Sequence, residues 1–122
     1  MSAIDPAKVA AGLGEMEFRE LASFGDGHAG VFWSEASGPS PWEMHPDCDE
    51  MLQVLEGEIE VEVLPGSGGP SVKTRVPSGS FFVVPRGDWH RQTLLVRTKE
   101  FYLTPGPSVH STAADPRTGT AR

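Results

Sequence analysis

Four residues near the middle of the chain carry side chains able to bind a metal ion or move a proton: Glu43, His45, Glu50 and His90. Glu43 and His45 are two positions apart, so on an extended strand they share a face. The segment Pro46-Asp47-Cys48-Asp49 then turns the chain back, which lets Glu50 meet them from a neighbouring strand. His90 opens another strand just after the tight turn Pro85-Arg86-Gly87-Asp88. Two imidazoles and two carboxylates brought together form an N/O donor set for a divalent metal. Two histidines and one carboxylate also suffice as a facial triad for iron(II), which frees the second glutamate as acid or base. Without a metal, two adjoining carboxylates would share a proton and one pKa would rise.

Strands are needed to aim these side chains, and the rest of the sequence supplies them. A chain of 122 residues makes one domain with a single core. Fourteen glycines and eleven prolines suit a turn-rich β protein and not a helical bundle. One short helix is expected near the N-terminus, with Asp5 as cap, Pro6 in the first turn and Gly12 or Gly14 at its end. Residues 58–64 alternate cleanly, with Ile59, Val61 and Val63 facing one way and Glu58, Glu60 and Glu62 the other. The run Phe81-Phe82-Val83-Val84 is expected to be a strand buried on both faces. About eight short strands at close spacing imply an all-β antiparallel sandwich or barrel. The chain divides into a helical segment over 1–16, a β domain over 17–105 and a loose polar tail over 106–122.

Parity sorts the remaining candidates. Gln92 shares the face of His90 and is expected to line a cavity as a substrate contact. Trp42 and Trp89 have the opposite parity to Glu43 and His90, so packing is their expected role. His28 and His110 are expected to be structural, and Phe101, Tyr102 and Leu103 to serve the core or a dimer contact. Cys48 lies between Asp47 and Asp49, whose charges disfavour its thiolate and make it a poor nucleophile.

The spacing of the four donors resembles the paired signature of the cupins. His45, four residues, Glu50, six residues and Gly57 fall in register with the first cupin motif, with Gly38 one residue off its leading glycine. Gly79, five residues, Pro85-Arg86-Gly87, two residues and His90 follow the second, with Leu94 in place of its final asparagine. Glu43 stands where most cupins place the first histidine. The resemblance covers roughly residues 17–105 and implies a double-stranded β-helix, or jelly roll. It implies metal-ligand roles for His45, Glu50 and His90, with Glu43 in the fourth position and Fe, Mn, Zn or Ni as the ion. Three histidines and one carboxylate around a divalent ion leave a charge of +1, whereas two of each neutralise it. The neutral site is a weaker Lewis acid.

On that resemblance the chain is expected to act on a small molecule by oxygenase, isomerase or lyase-type chemistry, with Glu43 or Glu50 moving a proton. The alternative is a non-catalytic small-molecule-binding or sensor cupin, since a reused fold does not imply an activity. The formal charge of −7 argues against nucleic acid or an anionic membrane as partner. No apolar run approaches the roughly 20 residues that span a bilayer, and no signal peptide is expected. One cysteine excludes an internal disulfide and fits a reducing cytoplasm. A homodimer is expected, because so short a β chain has sheet edges to protect.

Overall fold

Alternating apolar positions, interrupted at intervals by glycine and proline, make this a protein of short strands. The computed structural model describes residues 2–118. Helix α1 (Pro6–Ala11) starts at Asp5, whose carboxylate accepts from the amides of Ala7 and Lys8, and it stops at Gly12. The strands are β1 (Arg19–Phe24), β2 (Gly27–Ser34), β3 (Trp42–Met44), β4 (Glu50–Glu56), β5 (Glu58–Leu64), β6 (Val72–Pro77), β7 (Phe81–Val84), β8 (Trp89–Leu94), β9 (Thr98–Thr104) and β10 (Val109–Ser111). They pair antiparallel in two five-stranded sheets, ordered β1-β2-β9-β4-β7 and β10-β3-β8-β5-β6.

From β2 onward the chain changes sheet at every connection except β5 to β6. Two sheets interleaved in this way form a jelly roll. The crossing from β4 to β5 takes a single residue, Gly57, whose φ of +105° is open to glycine. A side chain at Gly57 would also run into the Arg97 carbonyl and Thr98.

The core lies between the sheets. Phe32, Leu52, Val54 and Val84 come from one sheet, and Ile59, Val61, Val63, Val76 and Leu94 from the other. Ile59 and Val61 are fully buried, as the alternation of β5 requires. On its outward face Glu58 and Glu62 pair with Arg75 and Arg91 at 2.9 and 2.8 Å. Helix α1 covers the outer face of the first sheet: Ala10 and Leu13 pack with Val31, and the Trp33 indole N–H donates to the Leu13 carbonyl at 2.6 Å. The central strand β9 therefore has protein on both sides.

Two expectations are corrected. Strand β7 is not buried on both faces: it is an edge strand, and Phe81 and Val83 are 59% and 46% exposed. An unbroken apolar run does not distinguish an edge from a centre, because that depends on which strands flank it. The segment expected to be loose from residue 106 contains β10, which pairs with β3 in register His110 to Glu43. A three-residue strand of Val, His and Ser has no periodicity to announce it, and its pairing partner supplies the order. Residues 119–122 of that expected tail lie outside the described residues.

Candidate functional site

Three segments and both sheets build the site. Strand β3 carries Glu43, and His45 follows its end; β8 carries His90, the register partner of Glu43. Glu50 opens β4 in the other sheet. The two turns that the sequence marks are tied together. The Gly87 amide donates to the His45 carbonyl at 2.9 Å, and the Arg86 amide donates to the Asp49 carboxylate at 2.8 Å. These bonds set the end of β3 against the start of β8 and so fix where the donors meet.

They meet closely. One ligand atom from each of Glu43, His45, Glu50 and His90 lies within 4.8 Å of the others, and His45, Glu50 and His90 are buried. Glu50 Oε1 is 3.1 Å from Nε2 of both histidines, and Glu43 Oε1 is 3.4 Å from both. These contacts are not ordinary hydrogen bonds: His45 Nε2 and Glu50 Oε1 are buried without a hydrogen-bond partner despite their proximity. Ligands about 2.1 Å from one ion lie roughly 3 Å apart when they subtend a right angle. The spacing and the orphaned donors thus fit a divalent metal, and all four residues read from the sequence are brought together.

Neighbouring groups orient the donors. The carbonyl of Pro107 lies 3.3 Å from His45 Nδ1 and the Ser108 hydroxyl 3.1 Å. A carbonyl can only accept, so Nδ1 carries a proton and Nε2 is left for the ion. Thr104 donates its hydroxyl to Glu50 Oε2 at 2.5 Å, leaving Oε1 facing the histidines. Glu43 Oε2 accepts from His110 Nε2 at 2.9 Å. Among the described residues the buried His90 Nδ1 has no hydrogen-bond partner.

Charge in the metal-free cluster follows the same contacts. Burial alone would lower the His45 pKa, but Glu43 and Glu50 outweigh it and raise it to about 10; His90 is shifted upward against burial by the same pair. Burial alone would raise both carboxyls, yet the two imidazoles hold Glu43 and Glu50 below the usual carboxylate range. Two imidazoliums therefore balance two carboxylates. Burial, then the charges of Glu50, Asp47 and Asp49, push the Cys48 thiol up against the pull of His45, which disfavours the thiolate and makes it a poor nucleophile.

A cavity of about 220 Å³ opens beside the donors. Gln92 lines it, together with Glu43 and Glu50. Trp42 and Trp89 pack with Leu64 away from it, as their parity requires. The cavity also holds Glu100 and Thr104 from β9, for which the sequence offers no reading, and Tyr102 and His28, which are expected in the core or a dimer contact and in a structural role instead. Tyr102 crosses over β2 where Gly30 leaves room for its ring, and its hydroxyl lies 3.4 Å from His28 Nε2. Glu100 is fully buried. Alternation does place Glu100, Tyr102 and Thr104 on one face, but not which face turns inward.

Comparison with known proteins agrees with this architecture. The cupin domain family model matches residues 34–93. A hydroquinone 1,2-dioxygenase from Sphingomonas sp. TTNP3, solved with 4-hydroxybenzoate bound, superposes with a TM-score of 0.66 at 17% identity over 82% of this chain and 71% of its own. A cupin-2 domain protein from Shewanella frigidimarina gives 0.59 at 20% identity over 79% and 86%. Drosophila melanogaster CENP-C, solved bound to CAL1, gives 0.57 at 16% identity over 62% of this chain, which spans only 59% of that one. No curated protein matches by sequence. No helix among the described residues is long and apolar enough to cross a membrane.

Proposed function

This chain is a small cupin-type domain, and from that premise we propose that it binds a divalent metal inside its barrel and acts on a small molecule held beside it. The observation that carries this reading is the gathering of four donor atoms within 4.8 Å at the wall of a cavity of about 220 Å³. Glu43, in the position most cupins give to a histidine, completes the set with His45, Glu50 and His90. Iron, manganese, zinc and nickel all accept such ligands. When bound, the ion supplies Lewis acidity that stabilises negative charge developing on a substrate oxygen.

The protein's own residues divide the remaining work. Glu50 is buried and held on Oε2 by Thr104, so it serves as a fixed ligand. Glu43 is less enclosed, and its second oxygen is bonded to His110, whose side chain is 62% exposed. Glu43 is therefore the residue that takes or returns a proton, with His110 as its outlet to solvent. Gln92 contacts the substrate in the cavity. Oxygenation, isomerisation and lyase-type elimination all use such a proton transfer, and the dioxygenase neighbour supports an enzyme.

The second reading is a non-catalytic small-molecule-binding or sensor domain; the CENP-C neighbour, solved bound to CAL1, is a similar fold in a binding complex. Metal analysis of protein purified without added metal separates the two. Near-stoichiometric metal that falls to background in His45→Ala is expected. Metal-free protein that still binds a metabolite would establish the sensor instead.

Two finer points complete the proposal. Phe81 and Val83, exposed on edge strand β7, support a homodimer, and a purely monomeric mass by light scattering would remove it. The single unreactive Cys48 accords with a cytoplasmic location.

A further inference from the structure

Glu100 is the one cavity carboxyl that the proposed metal chemistry does not use. It is 0% exposed, and among the described residues neither of its carboxyl oxygens is in a full hydrogen bond, the side chain of Gln92 being its nearest polar neighbour. The side-chain oxygen of Gln92, which lines the same cavity, is also buried and unpartnered. A buried polar atom left in this state destabilises the fold, so such groups persist where something else uses them. Glu100 is four residues along β9 from Thr104, the partner of Glu50, which is about 13 Å of strand. It lies outside the cluster of four donors but within electrostatic reach of Glu50, His90 and Glu43.

The walls between are apolar and largely aromatic. Phe18 stacks on Phe32 with ring centroids 4.3 Å apart, and Tyr102 lies 6.3 Å from Phe18. Leu52 completes this lining. A cavity of about 150 Å³ holds benzene, so about 220 Å³ suits one ring with small substituents. Charge narrows the choice further. Glu43, Glu50 and Glu100 line the cavity, and among the described lining residues there is no lysine or arginine. The two imidazoles of the donor end are already held by Glu43 and Glu50, so an anionic ligand at the Glu100 end would meet a carboxyl and an amide and no free cation.

We propose that Glu100 and Gln92 form a ligand subsite that takes the hydroxyl group of an uncharged single-ring molecule and rejects carboxylates. This rests on the reading of the cavity as a small-molecule pocket, and it names the class of molecule. A hydroxyl donates to one acceptor while accepting from a neighbouring donor. A neutral Glu100 carboxyl offers both functions, as does the Gln92 amide. Burial and the nearby Glu50 charge favour that neutral form, raising the Glu100 pKa to about 8.

Phenol, benzoate and benzylamine present the same ring with a neutral, an anionic and a cationic group, and calorimetric titration ranks them. Phenol should bind the chelator-treated protein in the millimolar range or tighter, with benzoate and benzylamine each at least about tenfold weaker. Glu100→Leu should lose about tenfold of the phenol affinity and, unlike a residue kept for stability, should raise the unfolding midpoint of the free protein. Glu100→Gln keeps the shape and both hydrogen-bonding functions, so it should fold and retain phenol binding. A preference for benzoate or benzylamine, no phenol binding at millimolar concentration, or an unchanged affinity in a folded Glu100→Leu overturns the subsite. Manganese titration of the same proteins is a separate readout: Glu100→Leu should bind the ion as wild type does. A wild-type protein that takes no manganese but discriminates phenol would defeat the metal reading and leave the subsite standing.

Discussion

Glu50 and Glu100 sit on adjacent strands of one sheet, point into one cavity and are both buried, yet their protonation is driven in opposite directions. Burial pushes each carboxyl toward its neutral form. Glu50 faces two imidazoles at 3.1 Å, which reverse the effect. Glu100 has no cation within bonding distance, and burial prevails. The donor end of the cavity is thus a balanced cluster of charges, and the Glu100 end a neutral pocket. Burial sets the stakes, and partners decide the sign.

The largest effect that would test this contrast is the removal of a partner. His90→Ala leaves the buried Glu50 and the half-buried Glu43 with one imidazolium between them, and the metal-free protein should lose about 3 kcal/mol in urea unfolding at mildly acid pH. Glu100→Leu, at the other end, should gain stability. If both substitutions destabilise alike, the two ends are not different in kind.

The pH dependence is the next largest effect. In metal-free protein His45 has a folded pKa of about 10 over an ordinary 6.5, so its contribution is complete below pH 6.5 and is lost as the pH rises toward 10. Glu43 and Glu50 are held below the ordinary 4.5, so theirs is present above pH 4.5 and is lost as the pH falls through their lowered values. Glu100 has the reverse sign for a carboxyl. Raised to about 8, it carries no ionisation penalty below pH 4.5 and a growing one from there to pH 8, by up to about 1.4 kcal/mol per pH unit. The stability difference between Glu100→Leu and wild type should widen across that window and stay constant outside it. A difference that instead narrows as the pH rises to 4.5 and is constant above it would place Glu100 in the same class as Glu50.

The smallest effect belongs to the cluster's exposed rim. His110→Ala removes an exposed partner of Glu43 and should change stability by less than about 0.5 kcal/mol. Metal affinity, read by competition with a chelator, should fall about tenfold, because the oxygen that orients Glu43 is released. An unchanged affinity would show that Glu43 is positioned by its strand alone.

The donor cluster was legible because its signals are local. Two residues of spacing put Glu43 beside His45, and two glycine- and proline-marked turns bring Glu50 and His90 to the same place. Glu100 was not legible, since β9 is covered by the core on one face and by α1 on the other. Alternation in such a strand pairs residues with each other but not with an inside. His110 sits in a polar stretch without periodicity, and only its pairing with Glu43 makes it part of the site. The edge position of β7 is likewise a property of the sheet order, which no single segment contains.

The repeated crossing of the chain between two sheets also bears on how the molecule comes to exist. Glu43 and His90 are 47 positions apart (90 − 43), and the bonds from Gly87 to His45 and from Arg86 to Asp49 close loops of similar size. Loops of this length must be closed before their contacts repay the lost entropy, which makes such topologies slow to fold. Glu43, His45 and Glu50 share one short segment of the chain, but His90 joins them only once the barrel has shut. An ion that recognises all four binds the closed barrel far better than the open chain, so its presence would chiefly lengthen the lifetime of the closed state.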